Sequence, residues 1–306
     1  MTAQCTTLPD GRLHLQHGPM DIVIGAEGDA EAVRQAHAQA WQRFRGLLGE
    51  LVAELPALRA PIARGSPLHG PVARRMGQAV WPFRAVFITP MAAVAGAVAQ
   101  ELVAFYQRPG VRRAWVNNGG DIALHLTAGQ RFCVGLFADL DQWPRALVAQ
   151  GLAVDGVFDI EHDNPVRGVA TSGWKGRSFS LGIADSVTVL AATAAQADAA
   201  ATIVGNAVDV AHPGIVRRPA NTLRDDTDLG AIEVTVNVPA LTPAQAQAAL
   251  AAGRAKALEL QRTGHIVSCV ITCQGWVAST DGAPGRFLSL GATAKEPAQR
   301  VLLETA

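Results

Sequence analysis

Asp198 and Thr202 stand four residues apart in the alanine-rich run Ala197-Asp198-Ala-Ala-Ala-Thr202. On a helix this spacing puts a carboxylate and a hydroxyl on one face, a turn apart. Together they can ligate Mg²⁺, a hard cation that takes oxygen donors and keeps positions open for phosphate. A structural reading competes: Asp early in a helix is favoured by the macrodipole, and the threonine packs. Threonine is, however, a mediocre helix former among alanines.

Two further stretches concentrate small polar residues in an otherwise apolar chain. Asn117-Asn118-Gly119-Gly120-Asp121 lies between the apolar runs 114–116 and 122–124. Its two glycines permit positive φ and close approach to the main chain, and Asp121 adds an acid. Such a turn can present bare amides and one carboxylate to a polar ligand. It is also a strong short signal for a plain hairpin. The other stretch is Ala170-Thr171-Ser172-Gly173-Trp174-Lys175-Gly176-Arg177. It offers hydroxyls, amides and two cations. Arg gives a phosphate bidentate hydrogen bonds, Lys supplies a point charge, and Trp174 could stack on a planar ring. An exposed glycine loop with surface charges would read the same way.

Other chemistries find little support. No Walker A pattern and no dinucleotide Gly-x-Gly-x-x-Gly are present. Neither His-Glu-x-x-His nor a Gly-x-Ser-x-Gly elbow occurs, and the eight histidines do not cluster. His14 and His17 are close in sequence, but odd spacing in a strand puts them on opposite faces. The four cysteines form no Cys-x-x-Cys pair. Cys269 and Cys273 fall on one face of an expected strand and read as small core residues rather than a redox pair.

Composition sets the frame for these segments. The chain has 306 residues, 49% of them hydrophobic, and a formal net charge of zero. That is enough apolar material for a large core, and it argues against nucleic acid or an anionic membrane as partner. No apolar run is long enough to span a bilayer, and residues 1–10 lack a secretory pattern. The expected location is the cytoplasm.

The elements that must position the polar stretches follow from periodicity. Short strands are expected at 13–16 and 22–24. Residues 29–55 are helical, with apolar positions Val33, Ala36, Ala40, Phe44, Leu47, Leu48 and Leu51 at spacings of three and four. Residues 61–75, rich in Pro, Gly and Arg, read as a surface loop. Thr89-Pro90 opens a second helix running to about Tyr106, uncharged until Glu101 and so buried, either in the core or across a homodimer interface. Strands are expected at 111–117, 122–127, 131–138, 153–160, 166–171 and 187–191. Thr193 and Gln196 then form a capping box opening a helix to about Val208. Residues 212–229 are a Pro/Arg/Asp-rich connection. A strand at 232–236, a second capped helix at 242–262 and a strand at 266–272 follow, with a frayed tail from about Ala294. Strands in runs argue for an α+β fold with a largely antiparallel sheet. No linker divides the chain, so 1–306 reads as one domain. Thr171-Ser172-Gly173 with Gly176-Arg177 is echoed weakly by Thr280-Asp281-Gly282 with Gly285-Arg286.

Taken in order, Val116-Asn-Asn-Gly-Gly-Asp-Ile122, Ala170-Thr-Ser-Gly173, Ser186-Val-Thr-Val189 and Ala197-Asp-Ala-Ala-Ala-Thr202 resemble the ApbE-like superfamily. Ile88-Thr-Pro-Met-Ala-Ala-Val-Ala-Gly96 and Ser178-Phe-Ser-Leu-Gly-Ile-Ala-Asp-Ser-Val-Thr-Val189 look most like its UPF0280 branch. The resemblance covers residues 10–280. It implies a T-fold-like α+β architecture and a site for FAD or FMN with Mg²⁺. ApbE proteins transfer FMN from FAD onto a hydroxyl of a target protein, so it also implies phosphoryl transfer and a protein acceptor. Asp198 and Thr202 would be metal ligands with Asp121 beside them. Asn118, Gly119, Gly120 and Asp121 would shape the nucleotide cleft, Thr171, Ser172 and Gly173 would line it, and Lys175 or Arg177 would meet the anion. Two features depart from the pattern. The family's His-x-x-Asp-Pro-x-x-Gly stretch is replaced by Arg177-Ser-Phe-Ser-Leu-Gly-Ile-Ala, and the helix start after Pro90 has no lysine. A non-catalytic binding protein or an assembly factor on the same scaffold is the alternative.

Overall fold

The computed structural model describes residues 2–136, 156–281, 285–286 and 300–302. Strands β1 (Gln4–Thr7), β2 (Leu13–His17) and β3 (Met20–Gly28) lead into helices α1 (Ala30–Ala53), α2 (Leu55–Leu58), α3 (Pro71–Val80) and α4 (Val94–Val103). A run of strands follows: β4 (Val111–Asn118), β5 (Asp121–Leu126), β6 (Arg131–Leu136), β7 (Gly156–Glu161), β8 (Gly168–Ser172) and β9 (Ser186–Ala191). Helix α5 (Ala194–Ala207) precedes β10 (Val216–Pro219) and β11 (Glu233–Asn237). Helix α6 (Pro243–Arg262) precedes β12 (Ser268–Cys273), β13 (Trp276–Ser279), β14 (Gly285–Arg286) and β15 (Arg300–Leu302).

Ten strands form one sheet in the order β1-β2-β3-β4-β5-β8-β9-β12-β13-β14, and each neighbouring pair is antiparallel. The α+β expectation with a largely antiparallel sheet holds. Successive side chains point to opposite faces of a strand, so the sheet has two cores. On one face Ala114, Val116, Ala123, Ala170, Val187 and Val189 pack against the helices. On the other, Trp115, Ile122, Leu124, Val169 and Leu190 pack with Phe132, Val134 and Ile160 from β6 and β7. Asp121 shares its parity with Ala123, which places it on the helix face.

The helices form for legible reasons. In α1, Ala36, Ala40, Phe44, Leu47 and Leu51 are buried at the anticipated spacing, and Asp29 caps the start by accepting from the N–H groups of Glu31 and Ala32. Thr242 and Gln245 close a capping box on α6, while Thr193 accepts from the Gln196 N–H at the head of α5. Cys269 and Cys273 are both buried, as core residues should be.

Several expectations need correction. The loop expected at 61–75 ends at Gly70, because Pro71 starts α3, and Val72, Ala73, Met76 and Val80 bury its inner face. Proline suits the first helical position as well as a loop, and composition alone did not separate the two. The helix expected from Met91 to Tyr106 is broken into a 3-10 turn at Pro90–Ala93, α4, and a 3-10 turn at Ala104–Tyr106. Thr89 does cap, but its hydroxyl serves the Met91 N–H of the 3-10 turn at 3.2 Å. Ala93 then leaves helical geometry (φ −132°, ψ 14°), and α4 starts without a side-chain cap of its own. Much of α4 packs into the chain's own core. Gly96, Ala97, Val98, Ala99, Leu102 and Val103 are buried within the chain. Strands β1, β10 and β13 and helix α3 were not anticipated. The expected strand ends at 137–138 and 153–155, and the second copy of the weak echo at 282–284 and 287–291, lie outside the described residues. So does most of the expected tail, although Arg300–Leu302 pairs in parallel with β6. Among the described residues no helix is long and apolar enough to cross a membrane.

Candidate functional site

The Asn117–Asp121 stretch is a two-residue hairpin between β4 and β5, with Asn118 paired to Asp121. Gly119 (φ 65°) and Gly120 (φ 103°) both sit at positive φ, the geometry that favours glycine in such tight turns. The Asn117 side chain closes the turn by accepting from the Gly120 N–H at 2.8 Å. The hairpin is also docked. Asn118 Nδ2 donates to the Ala95 carbonyl at 3.2 Å, against the start of α4. The plain-turn reading therefore holds, and the turn is packed against the start of α4.

Opposite the turn stands Asp198, in the second turn of α5. Its carboxylate accepts from the Gly96 N–H at 2.9 Å and from the Ala95 N–H, the amides that the uncapped start of α4 leaves open. Close approach makes this possible. A Cβ on Gly96 would lie 2.3 Å from the Ala194 carbonyl oxygen and 2.9 Å from the Asp198 Cβ. Asp198 is densely surrounded yet keeps some solvent contact. Burial pushes its pKa up to about 7, against the two amide hydrogen bonds.

Asp121 is buried on the same side of the sheet. Burial raises its pKa well above the ordinary carboxylate value, and the Asp198 charge raises it further. The Thr171 N–H and the Arg177 guanidinium act in the opposite direction. Asp121 Oδ1 is shut from solvent and has no hydrogen-bond partner. An orphaned carboxylate oxygen next to a second carboxylate suits a proton or a cation. The donor set fits a hard cation: two acid side chains, with the Thr202 hydroxyl one turn along α5. Among the described residues no group of three or more His, Cys, Asp or Glu could hold a metal. A site with so few protein ligands matches the habit of Mg²⁺, which keeps waters and takes substrate phosphates.

Arg177 ties the turn to the second polar stretch. A Cβ on Gly119 would lie 2.5 Å from its Nη2, so the guanidinium lies directly on the glycine turn. Its carbonyl accepts from Arg224 at 3.4 Å, and Arg224 also covers the Phe179 ring at 5.0 Å. Lys175 is placed differently. Its Nζ is 3.7 Å from Asp185 and 5.8 Å from the centre of the Trp174 ring. The three Thr-Ser-Gly residues also divide. Thr171 bonds its hydroxyl to that of Thr188 at 2.9 Å, on the sheet face away from the helices, and only its backbone reaches Asp121. Ser172 faces α5 near Gly205, and Gly173 is pressed against the backbone of Asp185. Asp121, Asp198, Asn118, Gly119 and Arg177 thus converge, while Lys175 and the Thr171 hydroxyl stand apart.

Sequence reasoning missed Ala95 and Gly96, whose amides hold Asp198. The available signal was a glycine inside an alanine helix, which lowers helix stability and so asks for a packing reason. A groove of about 270 Å³ lies elsewhere, between residues 62–68 and α3. Its lining contains no carboxylate, so the chemistry points to the acid pair rather than to this groove.

An antiparallel α+β sheet whose central hairpin meets a helix-borne acid across a small-residue helix start places the chain in the ApbE-like class. The chain belongs to the family described as AbpE bacteria, whose model matches residues 5–281. A UPF0280 protein of Methanopyrus kandleri is 36% identical over 219 residues, covering 71% of this chain and 82% of its own. The solved ApbE protein of Thermotoga maritima shares 13% identity with a TM-score of 0.40, covering 92% of this chain and 97% of its own. The apo flavinyl transferase ApbE of Pseudomonas stutzeri shares 13% identity with a TM-score of 0.32, covering 67% and 84%.

Proposed function

We propose that this chain binds a flavin nucleotide with Mg²⁺ between the β4–β5 turn and the start of α5, and transfers FMN from FAD to a hydroxyl of a protein acceptor. The observation that carries the reading is the Asp121 Oδ1 atom, buried and unpartnered beside the Asp198 carboxylate. Family membership supports the substrate class. Asp121, Asp198 and Thr202 would hold the metal. Bound Mg²⁺ would offset charge on the phosphates during phosphoryl transfer. The remaining roles belong to the chain itself. The Ala95 and Gly96 amides aim Asp198 and stabilise its ionised form. Glycines 119 and 120 keep the turn free of Cβ atoms, so a ligand can approach the backbone. The Arg177 guanidinium, which lies on that turn, would meet a phosphate oxygen.

A second reading, a flavin- or small-ligand-binding protein or assembly factor without turnover, is favoured by the start of α4. No lysine stands there, and Val94-Ala95-Gly96 offers only backbone. One experiment separates the two. The purified chain is incubated with FAD, Mg²⁺ and serine- or threonine-bearing acceptor peptides, and AMP release and FMN attached to peptide are followed by chromatography alongside the melting temperature. Turnover abolished in Asp198→Ala supports the enzyme. A melting shift without AMP supports the binder. No shift with millimolar FAD and Mg²⁺ removes both flavin readings.

A further inference from the structure

The 270 Å³ groove has an anatomy of its own. Ile62 and Leu68 close over Gly77 to give it an apolar lining, which Trp81 extends. Trp81 is 36% exposed, and Val86 (58%) and Phe87 (45%) continue the apolar surface. The Ile62 N–H donates to the Ile88 carbonyl at 3.0 Å, which fastens the 62–66 segment beside those residues. Monomeric surfaces seldom gather large apolar side chains in this way without a use.

Three guanidinium groups frame the patch. Arg84 stacks on the Trp81 ring, 4.4 Å from its centre, and donates to the Trp81 carbonyl at 2.9 Å. Arg74 donates to the His69 carbonyl at 2.5 Å. Arg64 also lines the groove. None of the three forms an ion pair with any described residue. Glu54 is committed to the His69 and Gly70 amides at 2.6 Å each. Two of the cations are therefore positioned by carbonyls and have no counter-charge among the described residues.

We propose that this face docks an acidic segment of a partner protein that carries an aromatic or branched apolar side chain. Exposed Trp and Arg are the residue types that dominate protein interfaces. The unpaired guanidinium groups complement carboxylates, and the groove takes one or two side chains. The inference does not depend on the flavin reading.

The test uses the full chain and three fluorescent twelve-residue peptides. One alternates Asp and Glu around a central Trp-Leu pair, one replaces its acids by Lys, and one replaces Trp-Leu by Ser-Ser. Anisotropy is measured at low and physiological salt. The acidic Trp-Leu peptide is expected to bind at least ~10-fold tighter than either control. Trp81→Ala should lower its affinity by ~30-fold, the scale of a hot-spot side chain. The triple variant Arg64→Glu, Arg74→Glu, Arg84→Glu should reverse the preference toward the Lys peptide. Circular dichroism confirms that the variants fold. Equal binding of the three peptides, binding unchanged in the triple variant, or no binding at all overturns the proposal. So does binding to phosphatidylserine vesicles, but not to the peptide, that the triple variant loses.

Discussion

Asp121 and Asp198 oppose each other in the apo chain. Both are pushed toward the neutral form by burial, and Asp121 additionally by its neighbour's charge. The sign of the resulting pH dependence follows. A carboxyl whose folded pKa lies above its unfolded value near ~3.9 contributes stability that is full below ~pH 4. That contribution is lost as pH rises through about 7, the folded value of Asp198. Each proton involved changes stability by at most ~1.4 kcal/mol per pH unit across the window. Because the two groups interact, they titrate as a pair. Asp198→Asn keeps an oxygen for the Ala95 and Gly96 amides and removes the charge. Subtracting its melting curve from that of the parent isolates the pair from other titrating groups, such as Glu101, whose pKa is lowered. The parent should lose stability relative to the variant between ~pH 4 and 7, and Mg²⁺ at pH 8 should restore it in the parent alone. A flat difference curve would remove the acid pair as a cation site.

The elements that hold these acids meet at glycines, which give different outcomes on substitution. At Gly96 a Cβ would collide with the Ala194 carbonyl, so α4 must move away from α5. Gly96→Ala should cost about 1–3 kcal/mol and displace the amide that Asp198 uses, lowering both melting temperature and Mg²⁺ affinity. At Gly119 the obstruction is the far end of Arg177, a flexible side chain, on a residue at positive φ. Gly119→Ala should cost only about 1 kcal/mol, from backbone strain, while weakening anionic ligands more than Mg²⁺. Calorimetric unfolding and titration of each variant check the contrast, and equal effects at the two sites would contradict it. The same elements show what the sequence made legible. Capped α5 and α6 could be read because the signal is local: Thr193 with Gln196, and Thr242 with Gln245. Asp198 and Thr202 could be placed on one helical face by counting. The break at Ala93 could not, because an alanine leaving helical geometry has no side-chain signature. The donors that hold Asp198 are a consequence of that break. Nor could counting show that Thr171 turns its hydroxyl away, which depends on its pairing opposite Thr188.

At the scale of the molecule, one antiparallel sheet brings residue 121 and residue 198 together through the neighbours β5, β8 and β9, with α5 returning over them. The site sits over the middle of the sheet, so its geometry is as firm as the core beneath it. The thiols report on that core. Cys269 and Cys273 lie on β12, which is paired on both sides, by β9 and β13. Burial holds the Cys273 thiol up to about 12 and raises that of Cys269 as well. Four residues apart on one strand, their Cα atoms are ~13 Å apart by strand rise, beyond the ~7 Å that a disulfide spans. Cys5, on the edge strand β1, is exposed, and partial burial alone raises its thiol. A thiol-alkylating reagent under native conditions should therefore label Cys5 quickly. Cys269 and Cys273 should react only when the central sheet opens, at a rate that denaturant accelerates. If FAD with Mg²⁺ bridges the β4–β5 turn and α5, its binding must slow that second phase in proportion to occupancy, because the sheet cannot part beneath a closed site. Mass spectrometry of the labelled chain reads these three sites separately from Cys133. Fast labelling of Cys269 and Cys273 in the native protein would show that the sheet is far looser than its pairing implies.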